Sequence, residues 1–229
     1  MREPSRPRII AHRALLQGPD DARANTLGAL EDACANGFDV EFDVRLDPAG
    51  ERLVLAHDAA RWSAEHDAST FLAAGGPGLH ALNVKELDAV EPALDVLEAA
   101  GRERDFFLFD FELLVDEPQE ALGLMRDVQR RGGLVAHRLS EREPFLPQHL
   151  ADETVSLVWL DELDGPWVHR EHVEILEGAG KRCLYVSPEL HGERDEERLE
   201  HRWQQLLEWG ASGICTDYPI RLRDLVGGA

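Results

Sequence analysis

The feature that most constrains the fold of this chain is a regular alternation of short apolar segments with longer amphipathic segments. Eight such pairs follow one another within 229 residues. Because consecutive parallel strands need a helical crossover between them, this alternation predicts parallel pairing. The predicted strands are RIIAH (8–12), FDVEFDV (38–44), LHALNVK (79–85), FFLFDFE (106–112), LVAHRLS (134–140), VSLVWL (155–160), CLYVS (183–187) and GICT (213–216).

Two architectures satisfy this alternation, an open doubly wound sheet and a closed barrel. Eight repeats suit the barrel, whose usual size begins at about 200 residues. The glycine fingerprint of a nucleotide-binding open sheet does not follow the first strand, and no change of composition marks a linker. We therefore predict an α/β fold, a single-domain (β/α)8 TIM barrel over residues 1–229. The predicted helices include 26–37, capped by Asn25 or Thr26, and 143–150.

Composition limits the partners. The formal net charge of -21 comes from 45 acidic and 24 basic residues, and such a field repels nucleic acid and anionic membranes. A small anionic ligand can still bind where local Arg, Lys or metal charge overrides the global field. The three cysteines are widely spaced, and no apolar segment approaches the ~20 residues of a membrane span or forms a signal peptide. We expect a cytoplasmic protein without membrane insertion.

One predicted strand carries a row of carboxylates. In 38–44, Phe and Val alternate with Asp39, Glu41 and Asp43, so the three acids share one face. The turn DPAG and the apolar segment LVLA then return the chain to His57 and Asp58. A solvated strand face is the alternative interpretation. It is disfavoured because most predicted strands end in polar residues, and in a barrel these ends form the ligand-binding rim.

Several motifs resemble, in order and spacing, the glycerophosphodiester phosphodiesterase family of metal-dependent barrel enzymes. They are His12-Arg13, Asn25-Thr26, Glu41-x-Asp43, His57-Asp58 and TDYP at 216–219. The resemblance implies that His12 and His57 act as general acid and base and that Arg13 holds phosphate. It also implies that Glu41 and Asp43 hold a divalent cation, and their hard oxygen ligands favour magnesium, calcium or manganese over zinc.

The chain also departs from that family. Ala14 follows His-Arg where the family usually has glycine, and Ala24 precedes Asn25 where the family usually has glutamate. The third-strand triplet is Asn83-Val84-Lys85 where the family has a metal-binding glutamate and a lysine. We expect Lys85 to bind the substrate phosphate together with Arg13. The segment 59–78 is too short for the family's usual inserted subdomain, which predicts a more open pocket.

Asp110 is the predicted substitute for the missing glutamate. In FFLFDFE, Phe107, Phe109 and Phe111 are predicted to face the helices, which places Asp110 and Glu112 on the barrel interior. Asp110 would then reach the cation directly or through water. The alternative is that Asp110 pairs with Lys85 and orients it.

These residues predict metal-dependent hydrolysis of a small glycerophosphodiester-like molecule to a phosphomonoester and an alcohol. A cation with Arg and Lys stabilises charge on the phosphate oxygens, and two histidines serve an in-line displacement. Two alternatives stay open. A neighbouring hydroxyl of the substrate could attack and give a cyclic phosphate, or the chain could bind phosphorylated ligands without catalysis. Asn83 favours the binder, whereas the pair of His12 and His57 argues against it, because binding alone needs no acid and base.

Overall fold

The computed structural model describes residues 6–142 and 155–227, which form nine strands and seven α-helices. The strands are Arg8–Ala11 (β1), Asp39–Leu46 (β2), Leu53–Leu55 (β3), His80–Val84 (β4), Phe106–Phe109 (β5), Leu134–Leu139 (β6), Leu157–Leu160 (β7), Arg182–Val186 (β8) and Gly213–Thr216 (β9). The helices are Leu27–Ala35 (α1), Ala68–Ala74 (α2), Val90–Ala100 (α3), Pro118–Arg130 (α4), Arg170–Gly178 (α5), Glu196–Glu208 (α6) and Pro219–Gly227 (α7). The helix predicted at 143–150 lies outside the described residues.

Eight of the strands close into a parallel barrel, which confirms the predicted (β/α)8 fold. The order around the barrel is β1, β2, β4, β5, β6, β7, β8 and β9, and β9 pairs with β1 to complete the ring. The remaining strand, β3, pairs antiparallel with β2 as the predicted hairpin. Within the described residues, no helix has both the length and the hydrophobicity needed to cross a bilayer.

Local sequence sets the ends of the first helix. Thr26 is the N-cap of α1, and its Oγ1 accepts the N–H of Ala29 over 3.3 Å. Gly37 follows the helix with a φ of +82°, a conformation that glycine adopts without steric cost. Of the two predicted caps, Thr26 is therefore the one used, which leaves the Asn25 side chain available for contacts with β2.

The apolar part of the barrel interior contains aromatic residues that the sequence pattern predicts on the opposite face. Phe107 and Phe109 point into the barrel, where the ring centroids of Phe109 and Trp159 lie 4.5 Å apart. Phe106 and Leu108 face the helices instead. The predicted orientation of Phe107 and Phe109 was wrong because every residue of FFLF is apolar, and both faces of this strand are buried.

The end of β5 also differs from the prediction. Ordered pairing stops at Phe109, and Asp110 adopts a left-handed conformation with a φ of +67°. This residue breaks the two-residue alternation, so Phe111 packs on the helix side although Phe109 points inward. The break turns Asp110 toward the rim of the barrel, and residues 111–114 continue as a 3-10 turn.

A buried histidine links two strands on the helix-facing side. The Nδ1 of His80 accepts the N–H of Val40 over 3.2 Å, and its Nε2 donates to the carbonyl of Gly76 over 3.0 Å. The ring packs against Phe71 and Phe106. Burial is the main cause that lowers the pKa of His80 below its ordinary value, so the folded protein favours the neutral ring.

We predict that His80 makes the protein less stable in mild acid. The unfolded state takes up a proton near pH 6.5, and the folded state resists it because the folded pKa is lower. The stabilisation is therefore complete above about pH 6.5 and is lost as the pH falls toward the folded pKa. His80→Gln should cost about 1–3 kcal/mol at pH 7.5 and should flatten the loss of stability between pH 7 and 5, measured by urea unfolding. The exposed His201→Gln is the control, and equal pH slopes in both variants would contradict the prediction.

Candidate active site

The polar residues that follow the strands meet at one end of the barrel. Parallel strands all finish at the same rim, so the segments after them share one surface. Hydrogen bonds and ion pairs connect the predicted residues of the first half of the rim to one another. These residues are His12, Arg13, Asn25, Glu41, Asp43, Lys85 and Asp217.

The backbone turn after β1 orients the first of them. Arg13 has a φ of +48° and Ala14 a φ of +59°, conformations that most residues avoid because Cβ approaches the following carbonyl. The turn directs the N–H of Arg13 to Glu41, where it donates to Oε2 over 3.0 Å. Asn25, with a φ of +57°, donates its N–H to the Arg13 carbonyl over 3.2 Å. Ala14 thus adopts a glycine-like conformation at the position where the family it resembles usually has glycine.

His12 lies between two carboxylates. Its Nδ1 is 2.8 Å from Asp217 Oδ1, and its Nε2 is 3.9 Å from Glu41 Oε2. Burial by itself lowers the pKa of His12, but the hydrogen bond to Asp217 and the charges of Glu41 and Asp217 outweigh it and raise the pKa above its ordinary value. A carboxylate on Nδ1 fixes the ring so that Nε2 is the nitrogen that can exchange a proton with a ligand.

Asp217 is itself fixed by a buried network. Glu189 accepts the N–H of Asp217 over 3.0 Å and the hydroxyl groups of Thr216 and Ser187. Trp203 Nε1 donates to Ser187 Oγ over 2.6 Å. Ser187 ends the predicted strand CLYVS, and Glu189 follows two residues later. The sequence indicates no role for them, because Glu189 and Asp217 are 28 residues apart and only the register of β8 and β9 brings them together.

Asp43 is the most heavily paired carboxylate of the site. Its Oδ1 is 2.9 Å from Lys85 Nζ, and its Oδ2 accepts Asn25 Nδ2 over 2.8 Å and lies 3.4 Å from Arg13 Nε. The Asn25 Oδ1 accepts the N–H of Asp43 in return, over 2.9 Å. Burial alone raises the pKa of Asp43, but Lys85 and Asn25 outweigh it and lower the pKa below its ordinary value, so the carboxylate is charged.

Glu41 has less compensation. Burial and the charge of Asp43 raise its pKa to about 6, although His12 and Lys85 oppose the shift. The two side chains share the barrel interior because they are two residues apart on β2. The pair is therefore a place where an additional positive charge would be strongly favoured.

The third acid of the row has a different role. Asp39 begins β2 and lies at the opposite end of the barrel, where its Oδ2 accepts Arg8 over 2.8 Å and its Oδ1 accepts the N–H of Leu79 over 2.9 Å. The strand alternation correctly placed the three acids on one face. Asp39 is nevertheless separated from Glu41 and Asp43 along the strand axis, because each residue of a strand advances about 3.3 Å.

His57 comes to this rim through the hairpin. Val44 pairs with Leu55 of β3 on one edge of β2 and with β4 on the other, so β3 shares the edge that β1 uses. The chain therefore returns beside the end of β1, after Ala56 donates to the Asp43 carbonyl over 3.1 Å. The His57 side chain is 48% exposed, and its Nδ1 is 3.2 Å from Asp58. Within the described residues, no hydrogen bond or ion pair links the His57 ring to His12, Glu41 or Asp43.

The second half of the rim is organised around Arg138. Its guanidinium bridges Asp110, at 3.3 Å, and Asp161, at 2.8 Å. Asp161 also accepts a hydrogen bond from His191, and the N–H of Arg138 donates to Glu112 over 3.0 Å. Burial and the charge of Asp110 raise the pKa of Glu112 to about 8. These residues lie in or just after four consecutive barrel strands, β5 to β8, and their pairing was not predicted from the sequence.

Asp110 reaches the predicted cation site through Asn83. Its Oδ2 accepts Asn83 Nδ2 over 3.1 Å, and both of its oxygens lie within 3.4 Å of Arg138. Burial raises the pKa of Asp110, with Arg138 and Lys85 opposing the shift. Lys85 instead forms its ion pair with Asp43. The partners of Asp110 are thus Asn83 and Arg138, neither of which was predicted.

Three neighbouring side chains carry oxygen atoms of the kind that a divalent cation binds. Asn83 stands opposite Asp43 in the register of β2 and β4, and its buried Oδ1 has no hydrogen-bond partner among the described residues. Together with Glu41 and Asp43 it offers two carboxylates and an amide oxygen, ligands that suit magnesium or calcium. Among all the residues that the structure describes, no group of three or more His, Cys, Asp or Glu side chains has the arrangement of a metal site.

No protein-family model and no curated protein matches the chain, but solved structures share its fold. A glycerophosphoryl diester phosphodiesterase from Parabacteroides distasonis is 13% identical with a TM-score of 0.72, over 100% of this chain and 88% of that one. A Galdieria sulphuraria protein to which glycerophosphodiester phosphodiesterase activity is ascribed is 16% identical with a TM-score of 0.72, over 96% and 98%. A phosphodiesterase from Oleispira antarctica, solved with the product sn-glycerol-3-phosphate, is 18% identical with a TM-score of 0.56, over 96% and 97%. The chain is thus similar in fold, over nearly its whole length, to these barrel proteins.

Proposed function

We propose that this protein is a metal-dependent phosphodiesterase that hydrolyses a glycerophosphodiester-like substrate to a phosphomonoester and an alcohol. The observation that carries the proposal is the position of His12, held by Asp217 and facing Glu41, beside the ion cluster of Arg13, Asp43 and Lys85. The fold is shared with phosphodiesterases, one of which was solved with sn-glycerol-3-phosphate.

Arg13 and Lys85 provide the positive charge that an anionic substrate requires in a chain of net charge -21. The Nε of Arg13 is buried and makes no hydrogen bond to any described residue. Nε faces Asp43, whereas the Arg13 side chain as a whole is 30% exposed, so its terminal nitrogens are the donors for a phosphate oxygen at the rim, and charge-assisted bonds of this kind are strong. Lys85 Nζ, next to Asp43, supplies a second donor for the charge that develops on the nonbridging oxygens.

His12 and His57 divide the proton transfers. The raised pKa of His12 favours its protonated form, so His12 is the general acid that protonates the leaving alkoxide from Nε2. His57 is half exposed and accessible to water, so it is the general base that removes a proton from the attacking water. Asp217 and Asp58 contact the Nδ1 atoms of the two rings.

Glu41, Asp43 and Asn83 are the residues that would hold a divalent cation, with magnesium, calcium or manganese as candidates. The bound cation supplies Lewis acidity and charge neutralisation at the phosphate. Asp110 acts through Asn83: because it accepts the amide Nδ2, it directs the amide oxygen away from itself. This is a positioning role in place of the direct ligation expected from the sequence.

We predict that His12→Ala and His57→Ala each lower turnover of glycerophosphodiesters about 100-fold or more, the usual contribution of a general acid or base. The assay is a panel of glycerophosphodiesters with magnesium, calcium and manganese in turn. His201→Ala, on the exposed surface of α6, is the matched control. Near wild-type turnover in a folded variant would remove that histidine from the mechanism.

The products of the same assay separate hydrolysis from the alternatives. Phosphorus NMR should detect a phosphomonoester from the start of the reaction. A cyclic phosphate would show that a hydroxyl group of the substrate attacks the phosphorus intramolecularly. Binding of the panel without turnover under any of the three metals would make the protein a binder of phosphorylated ligands.

We predict that Glu41→Gln and Asp43→Asn each weaken manganese binding at least about 10-fold in isothermal titration, because each removes an anionic ligand. Exhaustive chelation should abolish turnover, and added cation should restore it. Glu31→Gln, an exposed change of equal charge on α1, should leave the affinity unchanged. Full turnover of metal-free protein, checked by elemental analysis, would contradict the requirement.

We predict that Asp110→Asn weakens manganese affinity about 10-fold, in the range for loss of a group that orients a ligand. The substituted amide can present a donor to Asn83 and so competes with the orientation that exposes the Asn83 oxygen. Arg138→Gln removes the other partner of Asp110 and serves as a comparison for general damage to this half of the rim. An unchanged affinity in folded Asp110→Asn would leave Asp110 without a role at the cation.

A further inference from the structure

A cavity opens at the end of the barrel where the strands begin, opposite the proposed active site. Its volume is about 500 Å³, within the usual range for small-molecule sites. The segment before β1, the first residues of several strands and α7 line it. None of its lining residues belongs to the proposed active site, which lies at the other rim.

Four arginines surround this cavity. Arg6 precedes β1, Arg8 begins β1, Arg182 begins β8 and Arg223 belongs to α7. One carboxylate faces them, that of Asp39, which pairs with Arg8 over 2.8 Å. The lining is therefore strongly cationic in a protein whose formal net charge is -21. General surface composition does not account for such a concentration.

Three of these guanidiniums lack acidic partners among the described residues, and Arg223, which contacts the Asn36 carbonyl and the Phe38 ring, is one of them. In the part of the chain that the structure describes, neither Arg6 nor Arg182 forms a salt bridge with a carboxylate. Partial burial and the neighbouring charge of Arg8 lower the pKa of Arg182, and of these two arginines only Arg8 is paired with a carboxylate, that of Asp39. Arg223 is held in place, with its guanidinium carbon 4.9 Å from the centroid of the Phe38 ring.

The inner surface of the cavity is apolar. Leu79, Leu157 and Leu184 belong to the barrel interior and also line the cavity. Ile9 and Phe38 extend this surface toward the arginines. The cavity thus combines a cationic rim with an apolar interior, which suits a ligand with an anionic group and an apolar body.

We propose that this cavity, which we call the arginine cavity, is a second binding site for a phosphate monoester with an apolar or aromatic body. A dianionic phosphate would neutralise the unpaired guanidiniums of Arg6 and Arg182, whose planar forks suit phosphate oxygens. The apolar body would cover Pro7 and Ile9, which are only partly buried, and would pack against the wall formed by the buried Leu79, Leu157 and Leu184. The site is independent of the phosphodiesterase proposal, because none of its residues contacts the other rim.

The test uses phenyl phosphate and inorganic phosphate in isothermal titration at about 0.15 M salt, near physiological ionic strength. Phenyl phosphate should bind several-fold more tightly than inorganic phosphate, because only the former has an apolar body. The double variant Arg6→Gln/Arg182→Gln should weaken phenyl phosphate binding about 10-fold or more. Arg130→Gln, an exposed change on α4 outside the cavity, should leave binding unchanged, and turnover of diesters should be the same in all these proteins.

Three results would overturn the proposal. Equal affinity in the wild type and the double variant would show that the arginines do not bind the probe. Loss of binding in Arg13→Gln, with retention in the double variant, would place the probe at the other rim. Equal affinity for phenyl phosphate and inorganic phosphate would remove the apolar body from the ligand class. Thermal unfolding of each variant without ligand establishes that it is folded.

Discussion

The site depends on the closure of the barrel between β1 and β2. Two registered pairs, Ile10 with Asp39 and Ala11 with Val40, join the first strand to the carboxylate strand. Because both strands run parallel and finish at the same rim, this short contact places the turn after β1 directly beside Glu41. The backbone N–H of Arg13 and the ring of His12 then reach the same carboxylate. Without closure, the first strand and its histidine would lie at the edge of an open sheet.

The second constraint is the burial of two carboxylates on one strand face. Charges removed from water must be compensated locally, or their pKa values rise. Asp43 is paired with Lys85, Asn25 and Arg13 and remains charged. Glu41 is less compensated, and its pKa rises to about 6. This imbalance is what the proposed cation would relieve.

The two ends of the barrel illustrate how an acidic protein concentrates positive charge. At the rim where the strands end, each basic side chain is paired with one or two buried acids. At the end where the strands begin, four arginines face one carboxylate. The same overall charge that would repel extended polyanions therefore leaves room for small anions at either end.

Much of this arrangement was predictable from the sequence. The eightfold alternation predicts the barrel, and the two-residue period of 38–44 places Glu41 and Asp43 inside it. The hairpin to His57, the cap at Thr26 and the short segment before β4 also follow from local residue preferences. These features depend on neighbours along the chain, and a local pattern is sufficient to specify them.

Other features required the tertiary structure. The orientation of FFLF could not be predicted, because both faces of β5 are buried and apolar, and the left-handed Asp110 interrupts the period that the prediction assumed. The partners of Asp110 and Asp217 come from strands and turns far away along the chain, as do the four arginines of the arginine cavity. The sequence by itself determined the order of strands and helices and placed Glu41 and Asp43 on one face of one strand. Only the closed barrel, through its register and curvature, decided which residues of different strands meet.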